Sequence, residues 1–96
     1  MDRLTSMRVF QKVIDEGGFA AAGRVMDISP AVVTRLVADL EEHLGTRLLH
    51  RTTRRVSLTE AGETYLERVR HILQDLDEAH GLVSSHTREL AGVLRL

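Results

Sequence analysis

From Thr59 onward the chain keeps one apolar rhythm that constrains everything before it. Leu66, Val69, Leu73, Leu76, His80, Val83, Thr87 and Leu90 alternate by three and four, the spacing of a heptad seam. Tyr65, Ile72 and Ala79 widen the stripe, and only Gly81 interrupts it. Thr59 is placed to cap a helix, with Glu60 and Glu63 in the first turn, where carboxylates suit the helix dipole. A helix over 59–90 would be ~48 Å long. Residues 1–58 form too small a body to cover it. A partner helix, most simply from a second copy, is therefore expected along Leu66, Val69, Leu73, Leu76, His80 and Val83. Residues 91–96, AGVLRL, read as a linker entering a strand, the start of a truncated further domain.

The first 58 residues divide at their breakers. Leu4, Met7, Phe10, Val13 and Ile14 recur at helical spacing over 3–16, and Gly17-Gly18 ends that helix. A second, short helix covers 19–26, with Ala21, Ala22, Val25 and Met26 inward; its small side chains let two helix axes cross closely. Ser29-Pro30 opens a third helix, serine as cap and proline at the first helical position. It runs to Leu44 and stops at Gly45, burying Val33, Leu36, Val37, Leu40 and Leu44. Its opposite stripe, Ala31, Thr34, Arg35 and Ala38, is small and smooth, with one charge. Such a face can lie close against another surface. Two brief apolar–polar stretches follow, 47–50 and 55–58, joined by Arg51-Thr52-Thr53-Arg54: a hairpin with a basic tip.

Composition removes several function classes. There is no cysteine, hence no disulfide scaffold, Fe–S cluster, thiolate zinc site or cysteine nucleophile. No apolar stretch is long enough to span a bilayer, and the N-terminus has no secretory h-region; the cytoplasm is the expected compartment. His43, His50, His71, His80 and His86 share no ligand spacing, so no metal is expected. No phosphate loop, Ser/His/Asp set or paired carboxylates in a pocket is legible. The chain reads as a non-enzyme without cofactors. The formal net charge is −1, from 13 basic and 14 acidic residues, which taken globally argues against nucleic acid. Locally the balance reverses: segments 28–38 and 46–58 hold Arg35, Arg47, Arg51, Arg54 and Arg55 and no acid. Charges more than a Debye length apart, ~8 Å at physiological salt, do not cancel such a patch.

Two helices, a tight turn, a capped third helix and a basic hairpin describe a winged helix-turn-helix. The fold class is mostly α: three helices, a two-stranded β wing, then a long dimerising linker helix. Each part suits duplex DNA. The smooth third helix fits the major groove, ~12 Å wide. Ser29 and the first-turn amides offer positive charge to a phosphate. Thr34 can meet a base edge or phosphate, Arg35 can hold guanine with two bonds, and Ala31 and Val32 suit a thymine methyl. At the wing, Arg51, Thr53, Arg54 and Arg55 face backbone or minor groove, Arg54 above all. Arg47 is expected instead to pair with an acid. A protein-interaction module that keeps the fold but not the DNA contacts competes with this reading, on the strength of the net acidic balance.

The residues also carry a family likeness. Phe10, Gly18-Phe19, Ala21-Ala22, the run Ile28-Ser29-Pro30-Ala31-Val32-Val33-Thr34-Arg35, and LEEHLGTRLLHRTTRRVSLTEAG over 40–62 together resemble the N-terminal part of LysR-type transcriptional regulators. The likeness covers residues 3–62 without a gap. It implies promoter DNA as partner, bound at a T-N11-A type site, and a linker helix paired antiparallel with its dimer mate. It also implies a tetramer at full length and a small-molecule inducer held by an effector domain outside this chain. Pro30, Ala31, Thr34, Arg35 and Arg54 match the family's contact positions. The chain departs from the usual pattern at Gly18, Ala20, Gly23 and Asp27, and Ser-Pro-Ala stands where Ser-Gln-Pro is common. The glutamine that could read adenine is absent, so specificity leans on Thr34, Arg35, apolar contacts and DNA shape.

Overall fold

The structure, a computed structural model, describes the backbone of residues 2–51 and 55–94 and the side chains of 2–51 and 55–84. Helix α1 (Arg3–Glu16) starts at Asp2, whose carboxylate accepts from the amides of Leu4 at 3.1 Å and Thr5 at 3.3 Å. The Thr5 hydroxyl also donates to it at 2.6 Å. These bonds, the hydroxyl's first, favour the charged form and hold the Asp2 carboxyl below its usual range. Gly17, at φ +86°, closes α1 with its amide on the Val13 carbonyl.

Helix α2 (Phe19–Met26) ends at Asp27, which sits at φ 59°, ψ 45°. It is the one non-glycine residue with positive φ among the described residues. The turn into α3 (Pro30–Leu44) closes over bare backbone: the Ile28 amide donates to the Gly23 carbonyl at 2.9 Å. A Cβ on Gly23 would stand 2.7 Å from the Ile28 carbonyl oxygen. Glycine is therefore what permits this turn as built. Aspartate tolerates the left-handed region, but at a cost glycine does not bear. Asp27→Gly is expected to stabilise the fold by about 1 kcal/mol and raise the melting midpoint by roughly 4–8 °C. An unchanged or lower midpoint would show that the Asp27 side chain contributes more than its backbone costs.

Helix α3 begins as expected, the Ser29 hydroxyl accepting from the Val32 amide at 3.2 Å. It stops at Gly45, at φ +72°, whose amide donates to the Glu41 carbonyl at 2.8 Å. The three helices bury Val9, Phe10, Val13, Ala22, Val33, Val37 and Leu40 completely or nearly so. Leu48 and Leu49 close the core from the wing side and Leu66 from the long helix. Each buried valine, leucine or phenylalanine among them contributes roughly 1.5–3 kcal/mol. Leu4, Val25 and Leu44, expected inward, are exposed. All three lie in an end turn, where helices crossing at an angle have diverged.

The wing is an antiparallel pair, β1 (Leu49–Arg51) and β2 (Val56–Leu58), with Leu49 opposite Leu58 and Arg51 opposite Val56. Helix α4 (Glu60–Leu94) springs directly from it. The Thr59 hydroxyl accepts from the Gly62 amide at 2.9 Å and donates to the Arg47 carbonyl at 2.6 Å. The Thr59 amide donates to the Leu48 carbonyl at 3.0 Å. Helix start and wing root are thereby one joint.

Two expectations for α4 are corrected. Its helix continues to Leu94, so 91–94 is not a linker; Ala91, Val93 and Leu94 are tolerated in a helix, and Gly92 costs only about 1 kcal/mol there. Leu66, Val69 and Leu73, expected on a seam toward a second copy, are buried within one copy. Helix α1 runs antiparallel beside α4, with Asp15 on Arg70 at 2.7 Å and Arg8 on Asp77 at 3.1 Å. Between these ion pairs Met7 packs with Val69 and Leu73. The Phe10 and Tyr65 rings meet at 5.8 Å, tilted by 41°. The ion pairs are exposed and add at most ~1 kcal/mol each; the buried residues between them hold the helices together. The intramolecular cover ends near Asp77, and beyond it Leu82 and Val83 are exposed.

Candidate nucleic-acid interface

The outward face of α3 is built as the residue pattern implies. Pro30, Ala31, Thr34 and Arg35 are all exposed. Arg35 forms no ion pair among the described residues. Ala38 is half-buried where the stripe turns toward the wing root. Ser29 is exposed but engaged, capping Val32. Val32 is half-buried and stands off this stripe. The Thr34 hydroxyl donates to the Pro30 carbonyl, one turn back, at 2.9 Å.

The wing divides differently from expectation. Arg51 turns inward: its guanidinium donates to the Glu41 carboxylate at 2.6 Å and lies 5.8 Å above the Phe19 ring. Arg47, for which an acid partner was expected, is exposed and forms no ion pair among the described residues. The two arginines have exchanged places in the scheme. Along β1 Leu49 is buried and His50 and Arg51 are exposed, but the Arg51 side chain reaches back to the Glu41 carboxylate on α3. Arg55 is exposed next to β2. Thr53 and Arg54 lie outside the described residues.

Glu41 is the residue the sequence reading missed. It is 6% exposed, and its carboxylate also accepts from the amides of Leu48 at 2.8 Å and Leu49 at 3.3 Å. It thus joins α3, both amides at the wing root and Arg51. A signal was present: Glu41 follows Val33, Val37 and Leu40 at helical spacing and so falls on the buried stripe. Burial and the bond to Arg51 keep the Glu41 charge off the outer surface. Among the described residues no group of three or more histidine, cysteine or acidic side chains could hold a metal ion. No helix there is long and apolar enough to cross a membrane.

A capped helix with a smooth outer face, fixed by a buried carboxylate to an antiparallel wing, can be set beside known proteins. Residues 4–63 match the model of the bacterial regulatory helix-turn-helix proteins of the lysR family. The chain belongs to that family. Among its LysR-type relatives, an uncharacterised helix-turn-helix transcriptional regulator of Haemophilus influenzae is 47% identical over 98% of this chain and 33% of its own length. A transcriptional repressor of Pseudomonas aeruginosa is 43% identical over all of this chain and 30% of its own. The chain thus spans about a third of the curated relatives it matches. Among solved structures, the BenM DNA-binding domain in complex with catB site 1 DNA superposes with a TM-score of 0.80 at 30% identity, covering 96% of this chain and 95% of that one. The CbnR DNA-binding domain, also in a DNA complex, gives 0.81 at 31% identity, covering 91% and 99%. The winged helix-turn-helix with its long following helix is the fold of these LysR-type domains.

Proposed function

We propose that this chain is the sequence-specific DNA-binding part of a LysR-type transcriptional regulator, residues 1–58 forming the reading body and α4, from Glu60 to Leu94, the linker helix. The observation that carries this is the α3 stripe: Pro30, Ala31, Thr34 and Arg35 exposed together on a helix capped at Ser29. The DNA-bound state of the BenM and CbnR domains, which share the fold, supports it. In this reading α3 enters the major groove of promoter DNA from its N-terminal end. The N-terminal dipole of α3 favours a phosphate, with the Val32 and Val33 amides held by Ser29, Arg35 meets a guanine or a phosphate, and Arg54, Arg55 and Thr53 bring the wing to the backbone or minor groove. Arg51 acts indirectly, through Glu41. The chain does so in the cytoplasm, without catalysis and without a cofactor of its own.

Two copies join through α4. With Leu66, Val69 and Leu73 already covered by α1, the surface left to a second copy is the neighbouring strip. There Ile72, Leu82 and Val83 are exposed and Tyr65 and Leu76 half-buried, with His80 at its edge. At full length the pairs assemble as tetramers, and a small-molecule inducer binds the domain that this chain does not include.

The test is anisotropy on a duplex selected from random DNA, read against salt. Four or five phosphate contacts per copy give a log–log slope of roughly −4, doubled for a dimer on a full site. Arg35→Ala is expected to lose roughly 10- to 100-fold in affinity and to relax preference at one position. A flat salt response, or equal affinity for selected and random duplexes, refutes the proposal.

A further inference from the structure

A wing of two three-residue strands is too short to hold its own pose. What it docks on therefore decides where it stands relative to α3. Glu41 serves that junction three times over. Its backbone carbonyl accepts from the amides of Gly45 at 2.8 Å and Thr46 at 3.2 Å, and so turns the chain out of α3. One carboxylate oxygen accepts from the amides of Leu48 and Leu49 at the wing root. The other accepts from the guanidinium of Arg51, the last residue of β1, ~7 Å further along the strand. Arg51 in turn lies over the ring of Phe19, the first residue of α2. One side chain thus ties both ends of β1 to the helix that carries the exposed stripe. Glu41 itself is buried, out of reach of a duplex.

Resting on the DNA-binding reading above, we infer that Glu41 is a positioning residue for recognition. Through the wing-root amides and Arg51 it holds the wing at the separation from α3 that lets both elements engage one duplex. Binding through two elements is tighter when their spacing is set beforehand, because less freedom is lost on association. Charge alone predicts the reverse: a carboxylate beside a basic wing repels phosphate, and its removal would tighten binding. The two effects have opposite signs, so the affinity of a variant without that charge decides between them.

The experiment measures anisotropy on the selected duplex, at a temperature where circular dichroism shows the variants folded. Glu41→Gln keeps an acceptor for the amides and releases Arg51. It is expected to bind about three- to tenfold more weakly than the parent. Arg51→Met releases the far end of β1 without touching α3, and is expected to lose a similar factor. Neither loss is expected to lower the salt slope by as much as about one, since no phosphate contact is removed. In the background of Arg54→Ala, which deletes the proposed wing contact, Glu41→Gln is expected to lose little further, because the contact that its placement serves is gone. A purely structural role would instead leave the affinity of the folded fraction unchanged. Glu41→Gln binding as tightly as the parent or tighter, losses that multiply in the double variant, or a slope that falls by about one in Arg51→Met, each overturns the inference, while salt-dependent binding of the parent leaves the DNA reading standing. A parent that binds no selected duplex overturns both.

Discussion

Gly62→Ala is expected to cost about 3 kcal/mol or more and to lower the melting midpoint by roughly 12–24 °C. The added Cβ would lie 2.0 Å from the Leu48 carbonyl oxygen and 2.9 Å from its carbonyl carbon. A backbone obstacle cannot rotate aside as a side chain can. Leu48 is itself fixed, 1% exposed in the core, and its carbonyl accepts the Thr59 amide. To make room, α4 has to withdraw from the wing root by more than an ångström. That opens the Thr59 bonds to Arg47 and Leu48 together. Small domains hold only about 5–15 kcal/mol of net stability, so the variant is expected to be partly unfolded near 37 °C. Gly81→Ala is the control: nothing lies within 4 Å of its Cβ position, and alanine there is expected to add up to about 1 kcal/mol. Equal melting of the Gly62 variant and the parent would refute the close approach of Gly62 to Leu48.

Glu41→Ala is expected to cost about 2–4 kcal/mol, and Glu41→Gln about half as much. Alanine leaves the amides of Leu48 and Leu49 without their acceptor in a buried place, at about 1–3 kcal/mol for such groups. It also strips Arg51 of its carboxylate. Losing one member of a fully buried pair costs ~3–5 kcal/mol. Arg51 is one-third exposed and can turn to solvent, which reduces the penalty. Glutamine keeps one carbonyl oxygen for the amides and removes only the charge. A double-mutant cycle with Arg51→Met isolates the ion pair, with an expected coupling of about 1–2 kcal/mol. Urea unfolding of the four proteins provides the numbers. Zero coupling would mean that the 2.6 Å contact contributes nothing to the fold.

Helix ends were the most legible part of this sequence, because their chemistry is local. Ser29-Pro30, Gly45 and Thr59 each mark a boundary through a group that satisfies or ends a run of backbone hydrogen bonds, and each does so in the structure. The apolar stripes of the first three helices were legible for a related reason: the period of a helix decides which residues share a face. What periodicity does not encode is whose surface a stripe meets. Leu66, Val69 and Leu73 keep heptad spacing whether the cover is a second copy or α1 of the same chain. The choice depends on α1 lying antiparallel to α4, a tertiary fact. Arg47 and Arg51 illustrate the same limit. Both are arginines beside a hairpin, and the partner that distinguishes them, Glu41, lies on another element. Asp2 was missed as a cap although aspartate is among the best residues there. Of the proposed DNA-contact residues, the stripe of α3 could be read from its lack of charge. The use of the Thr34 proton on its own helix could not, since it depends on a side-chain rotamer.

The clasp between α1 and α4 has a mechanical consequence. From its first turn to Asp77 the long helix is splinted, with ion pairs at Asp15–Arg70 and Arg8–Asp77 and buried side chains between. Helix α1 is in turn keyed into α3 through the main core. Among the described residues the main core and the α1–α4 contact connect the rod to the exposed face of α3. Bending is relegated to the stretch past the splint, where Gly81 lies. A torque applied to the inner part of the rod is therefore expected to be carried to the α3 face.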